Sequence, residues 1–390
     1  MNTVILLHEF HQKLGARFTT LNGAETVDDY GDAMAENAAL WETAGVLDLS
    51  FRSRLCLLGA DRARFLHGQV TNDVKKLRTG EGCHAALVTA KGRMESDLNI
   101  CCLQEELLLD FEPGLTTAVR QRLERYIVAD DVQVVDVAPD YGLLSVQGPI
   151  AETVVRSLGL FKVVPGASLS SVKVADATLG EIHLMNQPRL AGSTSGHLAG
   201  SSAQSDEARR RSAGAGGMKG FDLFIPAMSL AAVAEKLIAA ASAAGGRACG
   251  WTAFETARIE AGIPRFGADM DATNIPLECG IEARAISYTK GCYIGQEVIN
   301  RIHSIGHVNR LLRGLRLADD LKTLPARGDK LFHADKEVGH ITSAVRSPRF
   351  RANIALGYVR REVSETGTEL AHKTNDGEHR TQVVELPFTS

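Results

Sequence analysis

The sequence predicts an α+β protein that closes with a small β-barrel or sandwich, and three observations carry that prediction. Strand-like and helix-like stretches alternate between residues 27 and 190 without the regular order of a doubly wound sheet. From about Arg313 the tail breaks into short strand-like pieces parted by Gly, Pro, Asn and Asp. Between these regions, residues 191–219 (AGSTSGHLAGSSAQSDEARRRSAGAGGMK) are mostly Gly, Ser and Ala, with too little apolar surface to pack. The expected division is a first region over 27–190, a flexible insertion over 191–219, a second region over 220–312 and the barrel over 313–390.

In chain order, Tyr30, Met34, Ala38 and Trp41 recur about once per helical turn and predict a helix over 27–44. Residues 45–50 and 55–59 read as short strands. Asp61 is placed to cap a helix carrying Ala63, Phe65, Leu66 and Val70. Strands follow at 85–89, 98–102 and 106–111, with a loop over 90–97, then a helix over 115–126 and a strand near 132–137. Beyond the insertion come a strand at 221–225, an Ala-rich helix over 230–244 closed by Gly245-Gly246, and a helix over 253–261. The barrel pieces are 314–317, 338–343, 354–359 and 381–386.

The chain has 390 residues, enough for two or three domains. A hydrophobic fraction of 44% and a charged fraction of 23% argue against a mainly disordered chain, a collagen or a membrane bundle. Lys plus Arg number 43 against 47 Asp plus Glu, a formal charge of -4. Duplex binders carry a basic excess, so nucleic acid is disfavoured as the main partner. Seven cysteines, none in a CxxC pair, make a poor disulfide framework and point to free thiols in a reducing compartment. The start, MNTVILLHEF, lacks a basic region and a small-residue cleavage site, and no stretch approaches the roughly 18 apolar residues of a membrane span. A cytoplasmic protein without a membrane partner is expected. Arg209-Arg210-Arg211, inside the insertion, reads as solvated charge.

The stretch richest in chemistry is Lys290-Gly291-Cys292-Tyr293-Ile294-Gly295-Gln296-Glu297. Its two glycines permit tight turns or close approach to a ligand. A thiol beside an ammonium is a candidate nucleophile, oxidation site or metal ligand. Tyr293 offers a stacking face, and Glu297 can cap or orient a following helix. Read without context, a glycine turn whose Cys292 and Tyr293 fill the core is the simpler reading. His303 and His307, four apart and near Cys292, suggest a metal site, but Gly306 argues against a continuous helix and no further ligand is suitably spaced. No stably bound metal is expected. Cys101 and Cys102, adjacent on a strand, point to opposite faces and read as buried core thiols.

The octet resembles the signature of the YgfZ-type folate-binding proteins of the aminomethyltransferase (GcvT) superfamily. Upstream, Phe65-Leu66-His67-Gly68-Gln69-Val70-Thr71-Asn72-Asp73-Val74 resembles a first-domain motif of the same superfamily. So does Ala257-Arg258-Ile259-Glu260-Ala261-Gly262-Ile263-Pro264, followed by Asp269, Pro276-Leu277-Glu278 and Gly280. The similarity covers about residues 35–360, interrupted by the insertion. It implies a three-lobed fold around a central channel that holds tetrahydrofolate or a one-carbon derivative. It implies Asp222, in Gly220-Phe221-Asp222-Leu223, as the acid that accepts the adjacent pterin N–H groups. Arg258 matches a pocket arginine, with Asn72 and Glu260 as further candidates. Lys290, Gly291, Tyr293, Gly295, Gln296 and Glu297 complete the implied site around Cys292. In that family the thiol serves iron–sulfur cluster assembly or repair, with assembly machinery or client iron–sulfur enzymes as partners. One thiol cannot hold a stable cluster by itself, so a transient role is expected.

The transferases of the superfamily carry a Gly-Gly-x-x-Asp-Asp loop whose aspartate assists proton transfer at a folate nitrogen. Here Lys91-Gly92-Arg93-Met94-Glu95-Ser96-Asp97 replaces the first glycine by lysine and is one residue longer, as on the YgfZ side. Asp97 is the candidate acid–base residue, and its displacement argues against transfer chemistry. The rival readings are a folate-dependent aminomethyltransferase acting through Asp97 and a folate-binding module without a cluster role.

Overall fold

The structure, a computed structural model, describes residues 3–191, 218–374 and 377–389. The expected insertion over 191–219, with Arg209, Arg210 and Arg211, lies outside them except at its ends. The fold is α+β. Besides a small hairpin near the N-terminus, the strands form two open sheets and a closed barrel.

In spatial order, Gly82–Val88, Met94–Cys102, Leu107–Phe111, Ser53–Leu58 and Gln133–Asp136 make an antiparallel five-stranded sheet. The six-stranded sheet runs Ser171–Asp176, Gly180–Asn186, Gly220–Pro226, Tyr141–Gln147, Gly45–Asp48, Arg247–Ala248, so it takes strands from both sides of the insertion. Strand side chains alternate between faces, and here both faces are covered. Helices Arg62–Gln69 and Thr116–Glu124 pack on the outer face of the five-stranded sheet through Phe65, Leu66, Val119 and Leu123. Ala151–Ser157 and Leu230–Ala243 do the same for the six-stranded sheet. The inner faces share one cluster, in which Cys56, Cys101 and Leu108 meet Leu47, Leu143, Met185 and Phe224.

The barrel runs Arg310–Leu317, Ala352–Arg360, Lys336–Ser347, Lys330–His333, Glu369–Thr374, Gly377–Val384 and returns to the first strand. Closure leaves no edge strand to pair with a neighbour, and Leu315, Leu331, Ile341, Val359 and Val383 fill the interior. Residues 259–308 pack between the barrel and the five-stranded sheet. Val88 and Met94 of the sheet, Tyr293 and Ile299 of this segment, and Leu356 and Tyr358 of the barrel belong to one apolar cluster.

Several local expectations need correction. The helix expected over 27–44 is only Ala33–Glu42, capped where Ala35 N–H meets Asp32 at 3.0 Å. Residues Ala24–Asp29 pair as a strand instead, and Gly31, at φ +100°, breaks the chain between the two. Asp61 does not cap its own helix; its carboxylate accepts from Asp131 N at 3.0 Å. Cys101 is buried and Cys102 half-buried, on opposite faces. The loop expected over 90–97 is a tight turn closed by Thr89 N–H to Arg93 O at 2.8 Å, so Asp97 sits on a strand.

Candidate functional site

The inner face of the five-stranded sheet turns polar toward one end. Arg54 lies opposite Asp110, Asp110 opposite Asn99, and Asn99 opposite His84, so strand register alone places these four side chains in one row. Asp97, two residues before Asn99, shares that face. Across the gap, Asp222 is fully buried on the inner face of the six-stranded sheet, beside Ser145 and Met185.

Arg189 joins the two sheets. Its guanidinium donates to Asp222 at 2.6 Å and to Asp110 at 2.8 Å. From there an unbroken ionic chain runs toward the barrel. Arg52 binds Asp110 at 2.7 Å and Glu112 at 2.6 Å, and Arg265 binds Glu112 at 3.0 Å and Glu255 at 3.2 Å. Arg258 then bridges Glu255 and Asp269, and Asp269 accepts from Ser343 of the barrel at 2.7 Å. Burial tends to raise the Asp110 carboxyl, but Arg52 and Arg189 reverse this and hold it well below the usual range. Asp222 shifts the other way: burial, aided by the Asp110 charge, outweighs Arg189 and lifts its pKa above the ordinary value. Phe51 and Arg52 line a cavity of about 520 Å³ that opens on this chain.

Asp97 stands at the other end of the row. Its carboxylate is 3.0 Å from His84 Nε2. Burial favours its neutral form, yet His84 and the charges of Arg284 and Arg52 hold its pKa below the ordinary value. His84 Nδ1 and Arg284 Nε are buried and have no hydrogen-bond partner among the described residues.

The octet forms a separate centre. Lys290 is buried and its ammonium donates to the carbonyls of His67, Val70 and Asn72, at the end of helix Arg62–Gln69. Tyr293 is buried beneath it, with the ammonium 4.7 Å from the ring centre, and its hydroxyl lacks a partner among the described residues. Gly295 starts helix Gln296–Ile305 in the left-handed region at φ +85°, and a Cβ there would meet Thr89 O at 2.5 Å. Gly295→Ala is therefore expected to destabilise the fold by about 1–3 kcal/mol, read as a lower urea midpoint with unchanged slope. Gln296 is half-buried, and Glu297 is exposed in the first turn, where a carboxylate suits the helix dipole. Cys292 is the one cysteine of seven that is exposed.

The remaining predicted residues lie apart. Asn72 donates to the carbonyls of His84 and Arg284 at 2.8 and 3.0 Å and so ties the octet side to the Asp97 side. Arg258 is the barrel end of the ionic chain, more than a lone surface pair. Glu260 is buried outside that chain, bound by Asn37 at 3.1 Å, Trp41 Nε1 at 2.6 Å and Ser347 of the barrel. His303 is on the helix, stacked on Tyr288 and bound to Glu282, whereas His307 falls beyond its end at Ile305. Among the described residues no group of three or more His, Cys, Asp or Glu is placed to hold a metal, and no helix is long and apolar enough to cross a membrane. Sequence reading missed Arg189, Asp110, Arg52, His84 and Arg284. The charges inside Phe51-Arg52-Ser53-Arg54-Leu55 and Leu107-Leu108-Leu109-Asp110-Phe111 were the available signal, because a charge within an apolar strand must find a partner.

Comparison with known proteins agrees with this architecture. The GCVT N-terminal domain matches residues 7–187 and 211–290, and the glycine cleavage T-protein C-terminal barrel domain matches 310–389. A protein named aminomethyltransferase from Symbiobacterium thermophilum is 28% identical, aligned over 98% of this chain and 96% of its own. One of the same name from Halalkalibacterium halodurans is 25% identical over the same shares. The crystal structure of glycine cleavage system aminomethyltransferase T from Bartonella henselae has the same fold, with a TM-score of 0.84 at 21% identity over 100% of this chain and 98% of that one.

Proposed function

The chain belongs to the family of the GCVT N-terminal domain, completed by its C-terminal barrel domain, and on that premise we propose that it is a YgfZ-type protein that binds tetrahydrofolate and supports iron–sulfur cluster assembly or repair. The observation that carries the proposal is the presentation of Cys292. Lys290, Tyr293 and Gly295 are fixed by carbonyls, core and backbone, while the thiol between them is exposed. A buried thiol fits a core role; an exposed one on a fixed turn fits contact with a partner. The cluster is cargo, and the partner supplies its other ligands.

The inter-sheet face suits a folate. Asp222, a buried carboxylate on the inner face, would accept the pterin N–H groups in place of Arg189, and His84 and Arg284 offer unpartnered nitrogens for the ligand's polar edge. A one-carbon derivative would enter the same place. Bound folate supplies the one-carbon chemistry; the chain's part is to orient it and exclude water.

Cys292→Ser tests the reading. Loss of iron–sulfur enzyme activity in cells, with tetrahydrofolate binding retained by calorimetry, is the expected result. Retained enzyme activity would reduce the protein to a folate-binding module. A second reading, aminomethyl transfer, draws on the family of its relatives and on Asp97, which is half-buried and kept ionised beside His84. Glycine-cleavage activity with a lipoylated carrier, abolished by Asp97→Asn, would decide for that reading.

A further inference from the structure

Arg189 holds Asp222 by the same chemistry that a pterin would use. Its Nε donates to Asp222 Oδ2 at 3.0 Å and to Oδ1 at 3.2 Å, and its Nη2 donates to Oδ2 at 2.6 Å. These two nitrogens share one carbon, a planar N–C–N pair of N–H donors. The amino group and ring N–H of a 2-amino-4-oxopterin form the same pair, so side chain and ligand compete for one carboxylate. Asp222 is fully buried, and among the described residues Arg189 is the one cation paired with it.

The backbone behind that contact is fixed. Arg189 N–H donates to Gln147 Oε1 at 2.9 Å, Gln147 Nε2 donates to Gln187 O at 2.9 Å, and Leu190 is buried in the cluster shared by the two sheets. Release of Asp222 therefore falls to rotation of the Arg189 side chain about its own single bonds. Of the two carboxylates it bridges, Asp110 is the firmer, because it also binds Arg52 at 2.7 Å and Asn99 at 3.1 Å and is held well below its usual pKa. Asp222 is the looser: burial lifts its pKa above the ordinary value in spite of Arg189. A buried ion pair whose attraction is nearly offset by desolvation is one that a ligand can replace.

We propose that Arg189 is an autoinhibitory latch on the folate site, whose guanidinium occupies Asp222 and must give it up when a pterin edge enters. The inference rests on the reading that Asp222 takes the pterin and adds what controls access to it. A ligand with a planar N–C–N donor edge can evict the guanidinium; one without that edge cannot satisfy the carboxylate that eviction would strand. Apparent affinity is then the intrinsic affinity reduced by the fraction of protein in which Asp222 is released.

The test is calorimetric titration of the full chain with tetrahydrofolate, for the parent, Arg189→Ala and Arg189→Lys, below every thermal midpoint. Arg189→Ala is expected to bind on the order of tenfold more tightly, because release of Asp222 no longer limits the apparent affinity. Arg189→Lys keeps a cation between the carboxylates and so guards the fold, but its ammonium cannot fork across Asp222, and it too is expected to bind more tightly than the parent. Methylguanidinium at millimolar concentration, refilling the space in Arg189→Ala, is expected to raise that variant's thermal midpoint and weaken its tetrahydrofolate binding, while leaving the parent's binding unchanged. Equal or weaker binding by both variants, with the parent binding, would overturn the latch and leave the folate reading in place. Tighter binding in Arg189→Ala that methylguanidinium does not weaken would also overturn it, since the gain then comes from loosened packing. Absence of binding in all three proteins would end the folate reading, and the latch with it.

Discussion

Arg189→Met is expected to lower stability at pH 7 by about 3–5 kcal/mol, the cost of removing one partner from a buried ionic group. The side chain is 8% exposed and bridges two carboxylates on different sheets, Asp222 and Asp110. Methionine keeps most of the apolar volume, so the loss is electrostatic. Asp110 keeps Arg52 and Asn99, whereas Asp222 loses the one cation that pairs with it among the described residues. The double variant Arg189→Met, Asp222→Asn is accordingly expected to be more stable than Arg189→Met alone, because the orphaned charge is gone. Urea unfolding of the two variants and the parent measures this. Equal midpoints for parent and Arg189→Met would show that the bridge contributes nothing. The effect also depends on pH. Glu255, pushed up by burial, is nonetheless drawn down to about 2 by Arg258 and Arg265, and Asp110 is likewise held low. A carboxyl with a depressed folded pKa contributes stability above its unfolded value, near 4.5 for Glu255, and loses it as pH falls toward the folded one. Asp222, with a raised pKa, opposes that loss by taking up a proton first. The gap between parent and Arg189→Met should therefore narrow between pH 7 and pH 4, as the stranded carboxylate is neutralised.

Sequence periodicity found the strands well because most have alternating or wholly buried faces with apolar neighbours, as at Leu55-Cys56-Leu57 and Leu107-Leu108-Leu109. It failed where a polar strand imitates a loop. Met94-Glu95-Ser96-Asp97-Leu98 fully buries only alternate residues, while Glu95 pairs with Arg122 and Asp97 with His84. It failed again at Ala24–Asp29, where the mark was local but passed over: Asn22-Gly23, both at positive φ, forms the two-residue turn that pairs this strand with Arg17–Leu21. The octet was legible because its residues are adjacent. The ionic chain was not, since Asp222, Arg189, Asp110, Arg52 and Glu112 come from distant segments and meet only through the facing of two sheets. Glu260 and Arg258, two residues apart in one motif, fall into different networks because a helix turns their side chains toward different neighbours.

Lys290→Met is the change expected to couple fold and thiol most directly. An ammonium has three donors, and here all three are spent on the carbonyls of His67, Val70 and Asn72, with Val70 at 2.6 Å and Asn72 at 2.9 Å. A helix end leaves its last carbonyls without intrahelical partners, and a cation there also meets the negative end of the helix dipole. Burial draws the ammonium's pKa down to about 8, so it carries its charge at pH 7. Methionine fits the apolar stem but strands three acceptors, at about 1 kcal/mol or more apiece, for a loss on the order of 3 kcal/mol. Arginine is not expected to rescue it, because a planar fork cannot converge on carbonyls that a compact ammonium reaches from one point. The same bonds hold the turn that carries Cys292, so the rate at which iodoacetamide alkylates that exposed thiol is expected to change in Lys290→Met. Urea midpoints and alkylation rates for the parent and Lys290→Met check both consequences. A Lys290→Met protein that unfolds with the parent would show that the octet is held by Tyr293 and Gly295 alone. One that is destabilised yet alkylates at the parent's rate would show that the lysine supports the helix end without placing the thiol.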